Sequence, residues 1–380
     1  MTGTLGDEEQ LLALGIAQLA ALLGSDWEIS LEPEPSSPRP QGLSPGRPDR
    51  LIGVTDSAHT FYGQVLAEAV LDPTPARLER ELLPRISVMR RFSPGASAVV
   101  IAPWLSPRTR ELLSRWDCGY LDLTGNVSFT MRRPAVVIRT DGAARDPRGR
   151  RGSGGRGLRG LRAGRLVRAL ADVRPPYRAA ELAQAVALSP PYVSRLLDVM
   201  EEEGLIRRRD KVVTKVDWES LLRARASATS LLKTGDFRSL LAPNGLDSFL
   251  EWLSGQEQLR PSVAVTGPVA AAAVAPLAIG GQAVLYTRGD VQNDLIAEQG
   301  LLAVDQGADV LLIEARDPVM FTGLRLIQGL PHVALSQLAL DCLSGSGRMP
   351  AAGEAVLDHM RDHEKQWRME SLDQLRCDAP

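Results

Sequence analysis

The sequence predicts an α/β protein in which a basic, helical segment lies between two regions of alternating strands and helices. Three observations support this prediction: short apolar runs alternate with helical repeats on both sides of the segment, the charge is unevenly distributed, and residues 162–217 carry closely spaced helix signals. At roughly 100–200 residues per domain, a chain of 380 residues is long enough for two or three domains.

The charge distribution divides the chain into three parts. Residues 1–144 carry 14 basic and 17 acidic residues, residues 145–225 carry 19 and 10, and residues 226–380 carry 11 and 19. The middle part therefore has a net charge of +9, although the whole chain is at −2. A basic part between two acidic parts is typical of a nucleic-acid reader with appended regulatory domains, and the alternative is a solvated basic linker.

Residues 1–143 are predicted to form the first α/β domain. The predicted helices cover 8–24, 75–91 and the segment that begins at Pro107, and the predicted strands cover 27–31, 51–55, 61–70, 98–102 and 135–139. Residues 32–48 are rich in Pro and Ser and indicate an exposed loop. In the string GYLDLTGN, Asp122 and Asn126 are interpreted as part of a structured turn, with a ligand-binding role as the alternative.

Residues 144–160 are predicted to be a flexible linker because they are rich in Gly and Arg and have no apolar periodicity. Arg148, Arg150 and Arg151 are candidates for phosphate contacts, and a simple tether is the alternative.

Residues 161–225 carry the strongest signal. Helices are predicted at 162–172, 178–188 and 190–203, and the third begins with Ser189 as its N-cap and Pro190 at its first position. Its apolar residues, Val193, Leu196, Leu197 and Met200, recur at helical spacing and should face the core. That spacing leaves Tyr192, Ser194 and Arg195 on the open faces, and a basic hairpin is predicted to follow Gly204.

This order of elements resembles winged-helix transcription regulators over about 55 residues, carried by the string YVSRLLDVMEEEGLI. The resemblance implies a helix that enters the major groove of double-stranded DNA. Arg195 can then donate two hydrogen bonds to a guanine, with Ser189, Tyr192 and Ser194 beside it, while Arg207, Arg208, Arg209, Lys211 and Lys215 neutralise phosphates. The alternative is a winged helix that contacts only proteins.

The element order of the first domain resembles the restriction-endonuclease-like PD-(D/E)XK superfamily, whose acids and lysine hold a divalent metal and polarise water. Asp49 and Glu68 stand where that pattern has its acids, but Val70 replaces the lysine. The resemblance therefore implies a degenerate nuclease domain without catalytic residues. Its expected role is the sensing of nucleic acid or another ligand.

Residues 226–380 are predicted to form a C-terminal α/β domain for regulation or association. Their strings AVTGPVAAAAVAP and VDQGADVLLIEARDP resemble the C-terminal domain of winged-helix proteins related to the type IV toxin–antitoxin AbiEi antitoxins. Thr266 and Gly267 invite a phosphate-binding interpretation, although close packing explains the same small residues. An extra domain ahead of the helix-turn-helix departs from a simple antitoxin.

Composition excludes several classes of protein. The sequence has no apolar run near the roughly 20 residues that a membrane span needs, and its acidic start, MTGTLGDEEQ, is unlike a secretory signal, which predicts a cytoplasmic protein. Three scattered cysteines fit neither a disulfide framework nor a zinc site. No cofactor, metal site or catalytic constellation is predicted.

The favoured interpretation is a non-catalytic, sequence-specific DNA-binding transcription regulator. Winged helices usually bind two-fold operators as symmetric dimers, so a homodimer is expected. Two alternatives remain open. One is an AbiEi-like antitoxin that represses a toxin operon, which a neighbouring toxin gene would favour. The other is a metal-dependent DNA nuclease, which Val70 disfavours.

Overall fold

The computed structural model describes residues 4–31, 50–144, 146–147, 156–275 and 281–377. These residues form two compact units, one built mainly from the chain before residue 155 and one mainly from the chain after it. The predicted loop at 32–48 and most of the predicted linker at 144–160 lie outside the described residues.

The first unit contains a seven-stranded sheet whose strands follow chain order. Its strands are β1 (Trp27–Leu31), β2 (Arg50–Asp56), β3 (Tyr62–Ala69), β4 (Ser97–Ala102), β5 (Gly119–Asp122), β6 (Val127–Met131) and β7 (Val136–Thr140). Its helices are α1 (Thr4–Leu23), α2 (Pro75–Arg77), which continues through a π-helical turn (Leu78–Leu82) into α3 (Leu83–Phe92), and α4 (Pro107–Arg115). The three central strands, β3 to β5, are parallel, and the flanking strands are antiparallel.

Local sequence signals account for these elements. β4 reads SAVVIA and is buried at every position after the first, as is typical of a central parallel strand. α4 begins at the predicted residue, because Ser106 Oγ accepts a hydrogen bond from the N–H of Thr109 at 3.1 Å and Pro107 needs no partner at the first helical position. The strands and helices predicted for this unit are present in the predicted order, but β5 and β6 were not among the predicted strands.

Helices cover both faces of the sheet. Successive strand residues point to opposite faces, so Val65 packs with Leu19 of α1 while Leu66 packs with the side chains of α3 and α4. α1 passes very close to β4: a Cβ atom on Gly15 would lie 2.3 Å from Cγ2 of Ile101. The first unit is therefore a three-layer α/β/α structure, in which Gly15 permits the close approach of one layer.

The second unit begins with three helices and a small sheet. The helices are α5 (Leu161–Asp172), α6 (Ala179–Ala185) and α7 (Pro190–Glu202), and the strands are β8 (Tyr177–Arg178), β9 (Ile206–Arg209) and β10 (Val212–Val216). The strands pair in the order β8-β10-β9, so the predicted basic hairpin is present and β8 adds a third strand. Asp210 and Lys211 form its turn, both with positive φ, which is typical of a two-residue type I′ hairpin.

The rest of the second unit is a mixed seven-stranded sheet with helices. Its strands are β11 (Gly235–Leu241), β12 (Val263–Thr266), β13 (Ala283–Thr287), β14 (Leu302–Ala303), β15 (Val310–Ala315), β16 (Arg325–Ile327) and β17 (Leu330–His332), in the order β14-β11-β15-β13-β12-β17-β16. The helices are α8 (Trp218–Ala228), α9 (Leu246–Ser254), α10 (Gly267–Ala272), α11 (Val291–Gln299), α12 (Leu335–Leu343), α13 (Met349–Asp362), α14 (Glu364–Trp367) and α15 (Asp373–Cys377). The α/β class predicted for this region is confirmed.

One hydrophobic core runs through the whole second unit. It joins Leu166 and Leu197 of the helix-turn-helix to Leu285 of the sheet and Leu338 of α12. α12 packs against both α5 and α8. The boundary predicted between residues 225 and 226 falls inside α8 and does not coincide with a break in this core.

A buried polar network accompanies the core. Arg168 of α5 is only 2% exposed, and its Nε donates to Asp172 Oδ2 at 3.1 Å while its Nη1 donates to Gln337 Oε1 at 2.9 Å. Ser336 Oγ donates to the other oxygen of Asp172. Since a buried guanidinium without acceptors is strongly destabilising, this network ties α5 specifically to α12.

Asp341 of α12 extends the network to the sheet. Its carboxylate accepts hydrogen bonds from Gln337 Nε2 at 2.8 Å, from the Tyr286 hydroxyl at 2.9 Å and from Thr266 Oγ1 at 2.7 Å. Burial raises the pKa of Asp341 to about 6, although these hydrogen bonds act in the opposite direction. Thr266 therefore has a structural partner, and packing against Val284 accounts for Gly267, which disfavours the phosphate-binding interpretation of this pair.

Candidate nucleic-acid interface

The turn between α6 and α7 sets the position of the predicted recognition helix. α6 ends at Ala185, earlier than predicted, because Ala187 adopts a left-handed conformation with φ of 51°. The N–H of Leu188 then donates to the carbonyl of Ala183 at 2.9 Å, and the carbonyl of Ser189 accepts from Val193 at 3.1 Å. These bonds end one helix and start the next within a few residues.

α7 presents the open face that its sequence predicts. Val193, Leu196, Leu197 and Met200 are buried, as expected. The exposed residues at its beginning and along this face include Ser189, Ser194 and Arg195. The Arg195 guanidinium makes only a long hydrogen bond, 3.4 Å from Nε to the carbonyl of Pro191 among the described residues, so its other donors point to solvent-accessible space.

The position of Tyr192 differs from the prediction. It was expected on an open face, but it is partly buried and packs against the core of the second unit. Its ring lines an open cleft of about 530 Å³, together with Arg165 and Asp317. The helical spacing of α7 could not show this packing, because it depends on residues that lie far away in the sequence.

Four of the predicted phosphate contacts are exposed on the wing, the hairpin formed by β9 and β10: Arg207, Arg209, Lys211 and Lys215. The type I′ turn places Lys211 at its tip. The wing therefore offers an accessible row of positive charge of the kind that neutralises phosphates.

Arg208, the fifth predicted phosphate contact of the wing, is paired with carboxylates, and its contact with phosphate stays a prediction. Its guanidinium is paired with two carboxylates of α7, through Nη2 to Asp198 at 2.6 Å and through Nε to Glu201 at 2.9 Å. Burial opposes the charge of Arg208, but these hydrogen bonds outweigh it and raise its pKa. Arg208 joins the wing to α7 and offsets part of the negative charge of that helix.

Arginines outside the predicted set lie at the N-terminal end of the helix-turn-helix. Arg162 of α5 is exposed and lines the same cleft as Tyr192, as does Arg316. Arg165 is bound by Asp317 through hydrogen bonds of 2.8 and 3.0 Å, and Arg316 is bound by Asp236 at 2.7 Å. The polar side of α5 indicated Arg162, whereas no sequence signal brings Arg316 to this place.

Asp122 and Asn126 in the first unit are fully buried in a closed turn. Asp122 Oδ1 accepts from the N–H of Thr124 at 2.9 Å and of Asn126 at 3.1 Å, and Oδ2 accepts from Asn126 Nδ2 at 2.8 Å and from the N–H of Leu105 at 3.0 Å. Asn126 Oδ1 accepts from Arg110 Nη1 at 2.8 Å. The polar atoms are used within the protein, which favours the structural turn over the ligand-binding alternative.

The residues that resemble a nuclease site form no metal-binding group within the described part of the chain. Glu68 is completely buried and forms an ion pair with Arg85, and Val70 is buried in the core. Asp49 lies outside the described residues. Among the residues that the structure describes, no cluster of three or more His, Cys, Asp or Glu side chains could hold a metal ion.

The linker residues Arg148, Arg150 and Arg151 also lie outside the described part of the chain, so their predicted phosphate contacts stay predictions. Within the described residues, no helix combines the length and apolar character that a membrane span requires.

Comparison with known proteins identifies the type of the helix-turn-helix. Residues 161–210 match the model of the IclR helix-turn-helix domain. The searches of curated proteins and of solved structures each found no match. The match supports a DNA-binding transcription regulator with a winged helix-turn-helix, and it extends from α5 through the first strand of the wing. The resemblances of the flanking regions to nucleases and to AbiEi antitoxins stay predictions.

Proposed function

We propose that this chain is a sequence-specific regulator of transcription that inserts α7 into the major groove of double-stranded DNA and places its wing on the phosphates. One observation carries the proposal: the IclR-type helix-turn-helix presents an exposed α7 face with Ser194 and Arg195 beside an exposed basic hairpin. An α-helix fits the major groove, where an arginine can donate two hydrogen bonds to guanine.

The charge arrangement on α7 supports the same docking mode. Asp198 and Glu201 would repel phosphates if their carboxylates were unpaired, but Arg208 binds both. Arg195 is therefore the charged side chain of the open face whose donors are accessible to a base edge. The negative charge of Asp198 is offset by its ion pair with Arg208. Base contacts of this kind specify sequence, and the contacts of the wing position the protein.

Selection of bound duplexes from a random pool tests the proposal. The full chain should enrich one motif, and an inverted repeat with half-sites about one helical turn apart would indicate the expected homodimer. Arg195→Ala should lose the enrichment, whereas Arg115→Ala, which alters an exposed arginine of the first unit, should retain it. Binding without any enriched motif would contradict sequence-specific reading.

The proposal includes a first unit that does not cleave DNA. The buried Val70 stands where the nuclease pattern has lysine, and Arg85 neutralises Glu68, so this carboxylate is unsuited to binding a metal ion. Supercoiled plasmid incubated with the protein and Mg²⁺ or Mn²⁺ should stay intact. Cleavage that disappears in Glu68→Ala would overturn this part and favour a metal-dependent nuclease.

A further inference from the structure

The hairpin formed by β16 and β17 brings an arginine and a histidine together. Arg325 of β16 lies directly opposite His332 of β17 in the antiparallel register, so both side chains lie on the same face. Two further histidines, His359 and His363 of the neighbouring helical segment, stack with their ring centroids 4.2 Å apart. Two of the four histidines of the chain, His332 and His359, thus lie near Arg325.

The electrostatic coupling of these groups shows that they are neighbours in space. Burial lowers the pKa of His332 to about 4, and the charge of Arg325 acts in the same direction. Burial, His363 and Arg325 lower the pKa of His359, and Asp362 opposes that change. Burial lowers the pKa of Arg325 to about 10.

Two nitrogen atoms in this cluster are buried without a hydrogen-bond partner among the described residues. Arg325 uses Nε to donate to the carbonyl of Val333 at 3.1 Å, but its Nη2 is buried and has no acceptor there. His332 is only 3% exposed, and its Nδ1 is likewise without a partner in the described part of the chain. Folded proteins rarely leave buried donors unsatisfied, so these atoms indicate an acceptor that binds from outside the chain.

We propose that Arg325 and His332 form a binding site for a small oxyanion, a phosphate or carboxylate group. Arg325 offers a guanidinium donor, and His332 offers Nδ1–H when that nitrogen carries the ring proton. An oxyanion has several acceptor atoms and a negative charge, so one group satisfies both nitrogens and compensates the guanidinium. The partial exposure of Arg325 leaves the site open to solvent on one side. The proposal does not depend on the DNA-binding function.

Thermal unfolding of the full chain in increasing inorganic phosphate, with ionic strength held constant by NaCl, tests the site. The melting temperature of the wild-type protein should rise with saturation, because a ligand that binds only the folded chain stabilises it. Arg325→Met should abolish this rise. Arg115→Met, which alters an exposed arginine of the first unit, should keep it. A parallel titration with acetate distinguishes a tetrahedral phosphate from a planar carboxylate as the preferred ligand.

The behaviour without phosphate separates an anion site from a structural arginine. Arg325→Met removes an uncompensated buried charge. In phosphate-free buffer, the melting temperature of this variant should therefore equal or exceed that of the wild type. At saturating phosphate, it should be lower than that of the wild type. A structural role predicts a lower value in both buffers. Arg325→Lys keeps the charge but removes the planar donor group, so its half-saturating phosphate concentration should be at least about tenfold higher.

Histidine ring NMR provides a second readout on the wild-type protein alone, which does not require the variants to fold. Phosphate should move the ring resonances of His332 with the same midpoint as the melting curve, while those of His59 in the first unit stay unchanged. The proposal is wrong if the wild type shows no saturable stabilisation by either anion, or if Arg325→Met responds as the wild type does.

Discussion

Arg208 of the wing binds the carboxylate of Glu201 in the last turn of α7 with three donors. Its Nε and Nη2 lie 2.9 and 2.6 Å from Glu201 Oε2, and its backbone N–H lies 3.0 Å from Oε1. The backbone bond fixes the strand and the guanidinium bonds fix the side chain. The pair therefore sets the orientation of the wing relative to α7, which a pair of exposed side chains alone could not do.

We expect Arg208→Ala to weaken DNA binding for two reasons. The variant loses the contact with Glu201 that orients the wing, and it leaves the negative charge of Asp198 without a partner. Addition of Asp198→Asn should restore part of the affinity. In urea unfolding, the cycle of Arg208→Ala and Glu201→Gln should give a coupling free energy of roughly 1 kcal/mol. If Arg208→Ala instead reduces the salt dependence of binding as much as Arg209→Ala does, and Asp198→Asn restores nothing, Arg208 is a phosphate contact after all.

Arg195→Ala should cost about 1–3 kcal/mol on the selected operator and little on random duplexes, because a base contact discriminates between sequences. Arg209→Ala is the matched control on the wing. It should weaken binding to both duplexes and lower the slope of log affinity against log salt by roughly 0.9, the amount expected when one phosphate is no longer neutralised. Titrations at several salt concentrations measure both quantities. Equal reductions in affinity on the two duplexes for Arg195→Ala would reassign sequence reading to Ser194 or the wing.

Ala187→Gly should raise the free energy of unfolding by about 0.5 kcal/mol. A left-handed conformation is unfavourable for alanine and free of steric cost for glycine, whose greater freedom in the unfolded chain offsets part of the gain. Ala187 is exposed, so the substitution leaves the core packing intact. Ala185→Gly, within α6, is the control and should destabilise by roughly 1 kcal/mol. Chemical denaturation of the two variants should therefore shift in opposite directions, and reduced stability in both would contradict the expectation.

Asp341→Asn should change how stability depends on pH. The pKa of Asp341 is raised from 3.8 in the unfolded chain to about 6 in the folded one by burial, so the folded chain binds more protons between these values. The contribution of Asp341 is therefore fully present below about pH 4 and is lost as pH rises through about 6. The difference in unfolding free energy between wild type and Asp341→Asn should vary across this range and be constant above it.

Asp236→Asn provides the control for that measurement, because Asp236 is an exposed acid on β11. Its difference from the wild type should vary much less over the same pH range. Parallel pH profiles for the wild type and Asp341→Asn would show that folding does not raise the pKa of Asp341.

The elements that the sequence predicted are those with strong local signals. Ser106 and Ser189, each followed by proline, marked the starts of α4 and α7 correctly. β4 was found because it is apolar along nearly its whole length. β11 was missed because Asp236 and Arg238 interrupt its apolar positions, and the strand exposes residues on both of its faces.

The differences at the interface have another cause. Helical spacing shows which side of α7 is apolar, but it cannot show that Tyr192 packs against the core or that Arg208 turns back to Asp198 and Glu201. The partners of Arg168 were equally hidden, since Gln337 lies 169 residues away. Such long-range pairs depend on the tertiary fold, which a local pattern does not contain.

The continuous core from Leu166 to Leu338 has a consequence for how such proteins diversify. A graft that exchanged residues 161–210 for another helix-turn-helix would have to reproduce the apolar face of α5 and the guanidinium of Arg168. Otherwise α12 would lose its packing partner. Whole-module shuffling is therefore an unfavourable evolutionary route to a new operator for this chain. Point substitutions on the outer surface of α7, which leave the shared interior untouched, offer the shorter path.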